Sequence, residues 1–156
     1  KRNILKPATN PGSHRCTNIK CKACEFIVEA KTFHSTHNNR SYKLTHKFSC
    51  KSTNIIYLVT CKRCSKQYVG ETSRSLGDRI TDHLSRIRLN KPTPIGLHFN
   101  SDGHSSNDFR IMAIEQFMDT PDVTKIRRSK EITWQNILQT AYPLGINNLK
   151  PGYLLH

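Results

Sequence analysis

Long apolar runs are missing from this sequence of 156 residues. None approaches the roughly 18 consecutive apolar residues of a membrane-spanning helix, so the chain is not expected to span a membrane. Internal repeats and low-complexity tracts are missing too, so neither a repeat array nor a biased tract organises the chain. Hydrophobic residues make up only 35%, which predicts a thin core that needs additional staples. The length suits one domain, or one small domain with a stapled extension.

Acidic residues are scarce: 11 Asp and Glu stand against 25 Lys and Arg, which gives a formal net charge of +14. The basic residues are spread along the chain and are not gathered in one tail. Nucleic acid is the usual partner of such an excess, because neutralising phosphates releases their counterions. A membrane surface is the competing explanation, and the sequence favours nucleic acid.

Six cysteines indicate either a disulfide scaffold or metal sites. Two pairs have the C-x-x-C spacing of zinc knuckles, namely Cys21 with Cys24 and Cys61 with Cys64. This spacing favours structural zinc in a reducing compartment. A secreted, disulfide-bonded heparin binder is the alternative, and thiol titration of the native protein would expose it.

Each knuckle needs two further ligands to complete a tetrahedral zinc site. One division uses every cysteine and leaves no odd thiol: a Cys₂His₂ site (Cys61, Cys64, His98, His104) and a Cys₄ site (Cys16, Cys21, Cys24, Cys50). A competing division joins the two knuckles in one site, and three other histidines are further candidates: His34, His37 and His46. Closed four-ligand sites are structural, so no catalytic role is expected for zinc.

Three strands are predicted from β-branched and alternating apolar residues. Residues 55–59 and 67–70 predict a β-hairpin with the second knuckle at its tip. Residues 109–117 alternate as a third strand. We therefore expect the cysteine pair of the hairpin to lie at one end of a small antiparallel sheet.

Two helices are predicted from apolar residues that recur every three or four positions. The first runs over residues 76–87, and Thr72 or Ser73 is the expected cap at its start. The second covers residues 123–140. The first 53 residues are polar and predict small strands and loops that are ordered mainly by metal. The expected organisation is an amino-terminal zinc-binding extension, a nuclease-sized domain and a short tail: residues 1–53, 54–150 and 151–156.

An ordered set of residues follows this hairpin and these helices: Tyr57, Tyr68, Gly70, Arg79, His83, Glu131 and Asn147. The set resembles the GIY-YIG nuclease family over about residues 54–148, although Ile55 stands where the first glycine of the motif would be. The resemblance implies an α+β fold in which helices flank a three-stranded antiparallel sheet. It also implies a DNA endonuclease that hydrolyses phosphodiesters with a divalent cation, Mg²⁺ or Mn²⁺, and has no small-molecule substrate.

The same resemblance implies a role for each residue. Glu131 is the carboxylate that holds the cation, and Arg79 meets phosphate oxygens with its fork of donors. Tyr57 is the candidate general base; its ordinary pKa near 10 means that it needs cationic help at neutral pH. Tyr68 and His83 position the water and the phosphate or relay protons. Asn147 holds the site by hydrogen bonds, with Asn148 an almost equal candidate.

More narrowly, the chain is similar to the endonuclease of Penelope-like retroelements. The similarity lies in residues 56–64, in residues 68–72, and in His98-Phe99 followed by Gly103-His104. It implies a nuclear protein that cleaves the target for target-primed reverse transcription, with element RNA and a linked reverse transcriptase as partners.

Ordinary explanations exist for each residue taken alone. The tyrosines could be strand aromatics, Arg79 a solvated charge, His83 a satisfied helix histidine, and Glu131 the partner of Arg127 or Arg128. A zinc-containing nucleic-acid-binding module without catalysis is the alternative function. Such a module has no need for the tyrosines, Arg79 and Glu131 in this order.

Overall fold

The computed structural model describes residues 10–153. Residues 1–9 of the expected extension and residues 154–156 of the expected tail lie outside the described residues. The described residues form seven strands, three α-helices and two short 3₁₀ turns. In order they are β1 (Gly12–Ser13), a turn (Ala23–Phe26), β2 (Thr32–His34), β3 (Ser41–Lys43), β4 (Lys47–Phe48), β5 (Ile55–Cys61), β6 (Gln67–Thr72), α1 (Leu76–Arg88), α2 (Pro94–Phe99), a turn (Ser106–Asp108), β7 (Phe109–Gln116) and α3 (Val123–Leu138).

The predicted three-stranded antiparallel sheet is confirmed, with the strand order β6-β5-β7. β5 lies in the centre, which explains why almost every residue of this apolar strand is buried. Tyr57 pairs with Gly70 on one side and with Ala113 on the other. β6 is an edge strand, so alternate backbone N–H and C=O groups along it face away from the sheet.

Two predicted helices are confirmed, and the predicted cap of the first is wrong. Ser75 is the N-cap of α1, and its side chain accepts a hydrogen bond from the Asp78 backbone. Thr72 still belongs to β6, where pairing with Ile55 holds it extended, so it cannot cap the helix. None of the helices in residues 10–153 is long and apolar enough to cross a membrane.

The amino-terminal segment packs onto the sheet and onto α3. The Val28 N–H donates to the carbonyl of Ile111 on β7, and the Ser35 hydroxyl donates to the carbonyl of Leu138. Phe33 meets Trp134 edge to face, with ring centroids 5.3 Å apart. Apolar side chains thus order this segment together with its cysteines, while the division of the chain at residue 54 stays a prediction.

Candidate active site

Tyr57 and Tyr68 lie diagonally on the same face of the sheet. Tyr57 pairs with Gly70, two residues after Tyr68, and alternate residues of a strand share a face. Their ring centroids are 6.4 Å apart. His83 of α1 closes the group, with its ring centroid 5.6 Å from that of Tyr57 and 6.0 Å from that of Tyr68. Three residues that are distant in sequence therefore form one aromatic cluster beneath α1.

Gly70 makes room for the ring of Tyr57. A Cβ at position 70 would lie 2.3 Å from both Cζ and the hydroxyl oxygen of Tyr57. No real Cβ approaches another atom so closely, and the Tyr57 side chain is fully buried and has no space to retreat. The glycine is thus required by the tyrosine that lies opposite it in the sheet.

The hydroxyl of Tyr57 is held by two groups of α1. Its oxygen lies 2.8 Å from Nε2 of His83, and Nε–H of Arg79 donates to it at 3.0 Å. Arg79 and His83 are one helical turn apart and reach the same oxygen, as their shared helix face predicts. Arginine has no acceptor, so the phenol oxygen accepts from Arg79. In the His83 tautomer that carries its proton on Nδ1, the phenol donates its own proton to Nε2.

Burial keeps Tyr57 and His83 uncharged in the resting protein. Burial, with a smaller contribution from Tyr68, raises the pKa of Tyr57 well above its ordinary value, and Arg79 opposes this rise. Burial, followed by the charges of Arg79 and Arg86, lowers the pKa of His83 to about 3. Nδ1 of His83 is buried and has no hydrogen-bond partner among the described residues. The phenol is therefore protonated and the imidazole neutral at pH 7.

Glu131 of α3 reaches the free edge of β6. Burial, and then the charge of Glu71, raises the pKa of its carboxyl group, whereas Arg79 and the backbone N–H of Glu71 lower it. Gln135, one turn further along α3, points its amide at the Glu131 carboxylate at 3.4 Å and at the Val69 carbonyl at 3.5 Å. Glu131 is thus a half-buried carboxylate beside Arg79.

Asn147, and not Asn148, joins the site by hydrogen bonds. Its side-chain oxygen accepts from the Val69 N–H at 2.8 Å, and its amide donates to the Val69 carbonyl at 2.9 Å. Thr140 adds a third bond, from its hydroxyl to the same oxygen at 2.6 Å. Asn148 is exposed with a backbone φ of 66°, so it serves the turn. Asn147 therefore caps the free edge of β6 directly beside the position of Glu131.

One cluster of metal-ligand type joins the hairpin tip to α2 and to the loop that follows α2. It contains the four predicted ligands, whose donor atoms lie within 4.8 Å of one another: Cys61, Cys64, His98 and His104. Nδ1 of His104 lies 3.1 Å from the Asp102 carbonyl, and the buried Nε2 has no hydrogen-bond partner within residues 10–153. A metal-bound histidine usually donates one ring N–H to a carbonyl and binds the metal through its other nitrogen. His104 has this arrangement, with Nε2 left for a metal.

A second cluster contains the four remaining cysteines within the same 4.8 Å limit: Cys16, Cys21, Cys24 and Cys50. Burial raises the pKa of Cys50 to about 12, and neighbouring thiols add to the rise. A cation among the four thiols would remove this penalty at Cys50, so the donor set fits zinc. The six cysteines form no disulfide among residues 10–153, and His34, His37 and His46 join neither cluster. The competing division, in which the two knuckles share one site, is not the one found.

Comparison with known families agrees with this geometry. The family model of the GIY-YIG catalytic domain matches residues 53–140, which is more than half of the chain. The chain belongs to the GIY-YIG family. GIY-YIG domains are nucleases, so this chain is a nuclease domain with DNA as its substrate. Searches of curated proteins and of solved structures found no significant match. The GIY-YIG match includes Tyr57, Arg79 and Glu131, whereas Asn147 and the Cys₄ cluster lie outside it.

Sequence reasoning missed an ion pair beside Glu131 in this GIY-YIG domain. Arg127 pairs with Glu71 of β6, and also donates to the side chain of Asn54 at 3.0 Å. The suggestion that Arg127 pairs with Glu131 on its own helix is therefore wrong, because Arg127 points toward the sheet. Gln135 was also missed, although its spacing of four residues from Glu131 could have indicated a shared helix face.

Proposed function

We propose that this domain nicks duplex DNA by hydrolysis at a single divalent cation, Mg²⁺ or Mn²⁺, which Glu131 holds. The observation that carries the proposal is the convergence of Tyr57, Arg79 and Glu131 beside β6. These residues come from a strand and two helices, and local folding requires none of them to meet the others. A module that only binds nucleic acid has no use for a buried tyrosine bonded to both an arginine and a histidine.

Tyr57 serves as the general base in this proposal. The hydrogen bonds provide a route in which water gives a proton to the phenol oxygen while the phenol proton moves to Nε2 of His83. Concerted transfer suits the site, because burial disfavours both a free phenolate and an early imidazolium. Nε–H of Arg79 donates to the Tyr57 oxygen, and the other N–H groups of the guanidinium can donate to phosphate oxygens. Tyr68, in ring contact with His83, positions the water and the phosphate.

Glu131 fits the role of cation ligand by its chemistry. It offers carboxylate oxygens, the donors that hard cations prefer, and a neighbouring Glu71 carboxylate adds negative potential. A bound cation would neutralise charge on the phosphate and assist the leaving oxygen. Asn147 holds β6 in position through its hydrogen bonds to the Val69 backbone, and Glu131 lies at the edge of the same strand.

We also propose that the protein binds two structural zinc ions, one in each cluster. The Cys₂His₂ site would fix the hairpin tip to α2 and the loop after it, and the Cys₄ site would fix the amino-terminal segment. The Cys₄ cluster also borders α1: the carbonyl of its member Cys50 accepts from the Gly77 N–H at 2.8 Å. Neither cluster includes a residue of the tyrosine site, which supports a structural role for both ions.

A retroelement of the Penelope-like type is the proposed biological setting. The cysteine pair within the hairpin, joined to His98 and His104, supports this assignment together with the sequence similarity around both tyrosines. In that setting the domain acts in the nucleus and leaves a hydroxyl that a linked reverse transcriptase extends on element RNA.

Nicking of supercoiled plasmid tests the proposed activity. Wild-type protein should nick with Mg²⁺ or Mn²⁺ and stay inactive in EDTA, while Glu131→Ala should be inactive and still bind DNA. Glu25→Ala, which removes an exposed carboxylate on the 3₁₀ turn, is the matched control and should nick normally. Equal nicking by Glu131→Ala and wild type would refute the role of Glu131. Tight DNA binding with no nicking at any cation concentration would favour the non-catalytic module.

A further inference from the structure

Arg127 is a buried cation in a chain that already carries an excess of positive charge. Its side chain is 5% exposed, and among residues 10–153 no other lysine, arginine, aspartate or glutamate is buried. Its partner Glu71 is 19% exposed. A buried ion pair often stabilises a protein less than apolar side chains of the same size would, so stability alone does not explain this one. The location of the pair indicates a function.

Arg127 lies on α3 one helical turn before Glu131, so both side chains face β6. Its guanidinium binds the Glu71 carboxylate and the Asn54 side chain, and Asn54 directly precedes β5. A single arginine therefore joins α3 to the edge strand and to the start of the strand that carries Tyr57. This contact is one of those that fix the rotation of α3 about its axis, and that rotation aims Glu131.

Glu71 contributes at two points. Its carboxylate holds Arg127, while its backbone N–H faces the Glu131 carboxylate at the free edge of β6. Two residues earlier on the same edge, the Val69 N–H is taken by Asn147. Consecutive outward-facing N–H groups of β6 thus serve Asn147 and then Glu131. The Glu71 carboxylate also places a second negative charge beside Glu131.

We propose that Glu71 and Arg127 are positioning residues for the cation site: Arg127 aims Glu131 through α3, and Glu71 strengthens cation binding by its charge. Arg127 also engages the Glu71 carboxylate and so keeps it from replacing Glu131 as the ligand. The inference rests on the proposed role of Glu131 in cation binding. It adds two residues that do not touch the substrate.

Cation affinity, measured apart from turnover, tests the proposal. Glu71→Gln should raise the half-saturating Mg²⁺ concentration for nicking by about fivefold or more, because one neighbouring charge is lost. The rate at saturating Mg²⁺ and the affinity for DNA in EDTA should both stay within about twofold of wild type. Mn²⁺ binding without DNA, followed by electron paramagnetic resonance, should weaken by the same factor.

Glu115→Gln is the matched control, because Glu115 also anchors α3, through Trp134 at 2.7 Å, but lies on β7, which β5 separates from β6. It should leave Mg²⁺ half-saturation unchanged. Arg127→Met should lower the rate at saturating Mg²⁺ by about tenfold, and Arg127→Lys should recover part of it. If Glu71→Gln does not fold, the uncharged double variant Glu71→Gln/Arg127→Met serves in its place and should show the same weakened Mn²⁺ binding.

Identical Mg²⁺ half-saturation in Glu71→Gln and Glu115→Gln would overturn this inference and leave the nuclease proposal standing. Equal Mn²⁺ binding by wild type and Glu131→Ala would overturn both, because no cation site would then exist at Glu131.

Discussion

The hydroxyl of Tyr57 lies 2.8 Å from Nε2 of His83, and both side chains are buried. The two residues are 26 positions apart in sequence, on the central strand and on the helix that covers it. This contact joins the general base of the proposed mechanism to an uncharged imidazole acceptor.

Tyr57→Phe should abolish most activity without unfolding the protein. Nicking should fall by about 10²-fold or more, because the phenol oxygen is the base. Stability should fall by about 1–2 kcal/mol, because a buried hydroxyl with two partners is removed and both partners lose a bond. Plasmid nicking and urea unfolding measure the two effects. A folded variant that binds DNA and nicks at the wild-type rate would make Tyr57 a core aromatic.

Gly70→Ala should damage the site through Tyr57. The added Cβ would lie 2.3 Å from the ring, so Tyr57 must move away from Arg79 and His83. We expect a loss of several kcal/mol, as overpacking produces, and no measurable nicking. Combining Gly70→Ala with Tyr57→Leu should restore part of the stability, because the shorter side chain vacates the space, but none of the activity. Additive losses in this double-mutant cycle would show that the two positions do not clash.

Acidification should destabilise the protein through His83. Its pKa is lowered to about 3 by burial, so between pH 6.5 and pH 3 the unfolded chain binds a proton that the folded chain does not. The contribution of His83 to the free energy of unfolding is therefore fully present above pH 6.5 and decreases as the pH drops. The decrease is at most about 2 kcal/mol between pH 6.5 and pH 5. Urea unfolding at pH 7 and pH 5, wild type against His83→Gln, isolates the effect from loss of zinc. An equal pH dependence of both proteins would contradict the prediction.

Zinc analysis should find two ions per molecule, one for each cluster. Cys61→Ser should remove one ion and lower stability sharply, because metal binding here contributes to folding. Cys21→Ser should remove the other. His37→Asn, at an exposed histidine outside both clusters, should retain both ions. If Cys61→Ser and Cys21→Ser instead destroyed one shared site, the two knuckles would have to be joined, contrary to the two separate clusters of the structure.

DNA affinity should depend steeply on salt and little on sequence, because the net charge of +14 is spread over the chain. Glu131→Ala should bind DNA as tightly as wild type or more tightly, since it removes a negative charge near the phosphate. Fluorescence anisotropy from 50 to 200 mM salt with two unrelated duplexes tests both statements. Salt-independent affinity would exclude phosphate contacts as the main source of binding.

By itself the sequence determined the three strands of the sheet, the two longer helices and the family. The apolar alternation of residues 55–59 and the helical spacing from Leu76 to Ile87 are local patterns, so they predicted β5 and α1 correctly. The ordered tyrosines, Arg79, His83 and Glu131 predicted a GIY-YIG nuclease, which the family match confirms. Cysteine spacing also predicted the two clusters that the fold assembles.

Tertiary structure alone decided which residues meet at the edge of β6. The sequence offers Asn147 and Asn148 as almost equal candidates. The backbone turn at Asn148 directs that residue to solvent and leaves Asn147 facing Val69. Likewise, Arg127 has acidic neighbours on its own helix and on the sheet, and it pairs with Glu71 because α3 packs with Arg127 facing β6. The physical reason is common to both cases. Partners that lie 56 or 78 residues apart are selected by strand order and helix rotation, which the pattern of neighbouring residues does not encode.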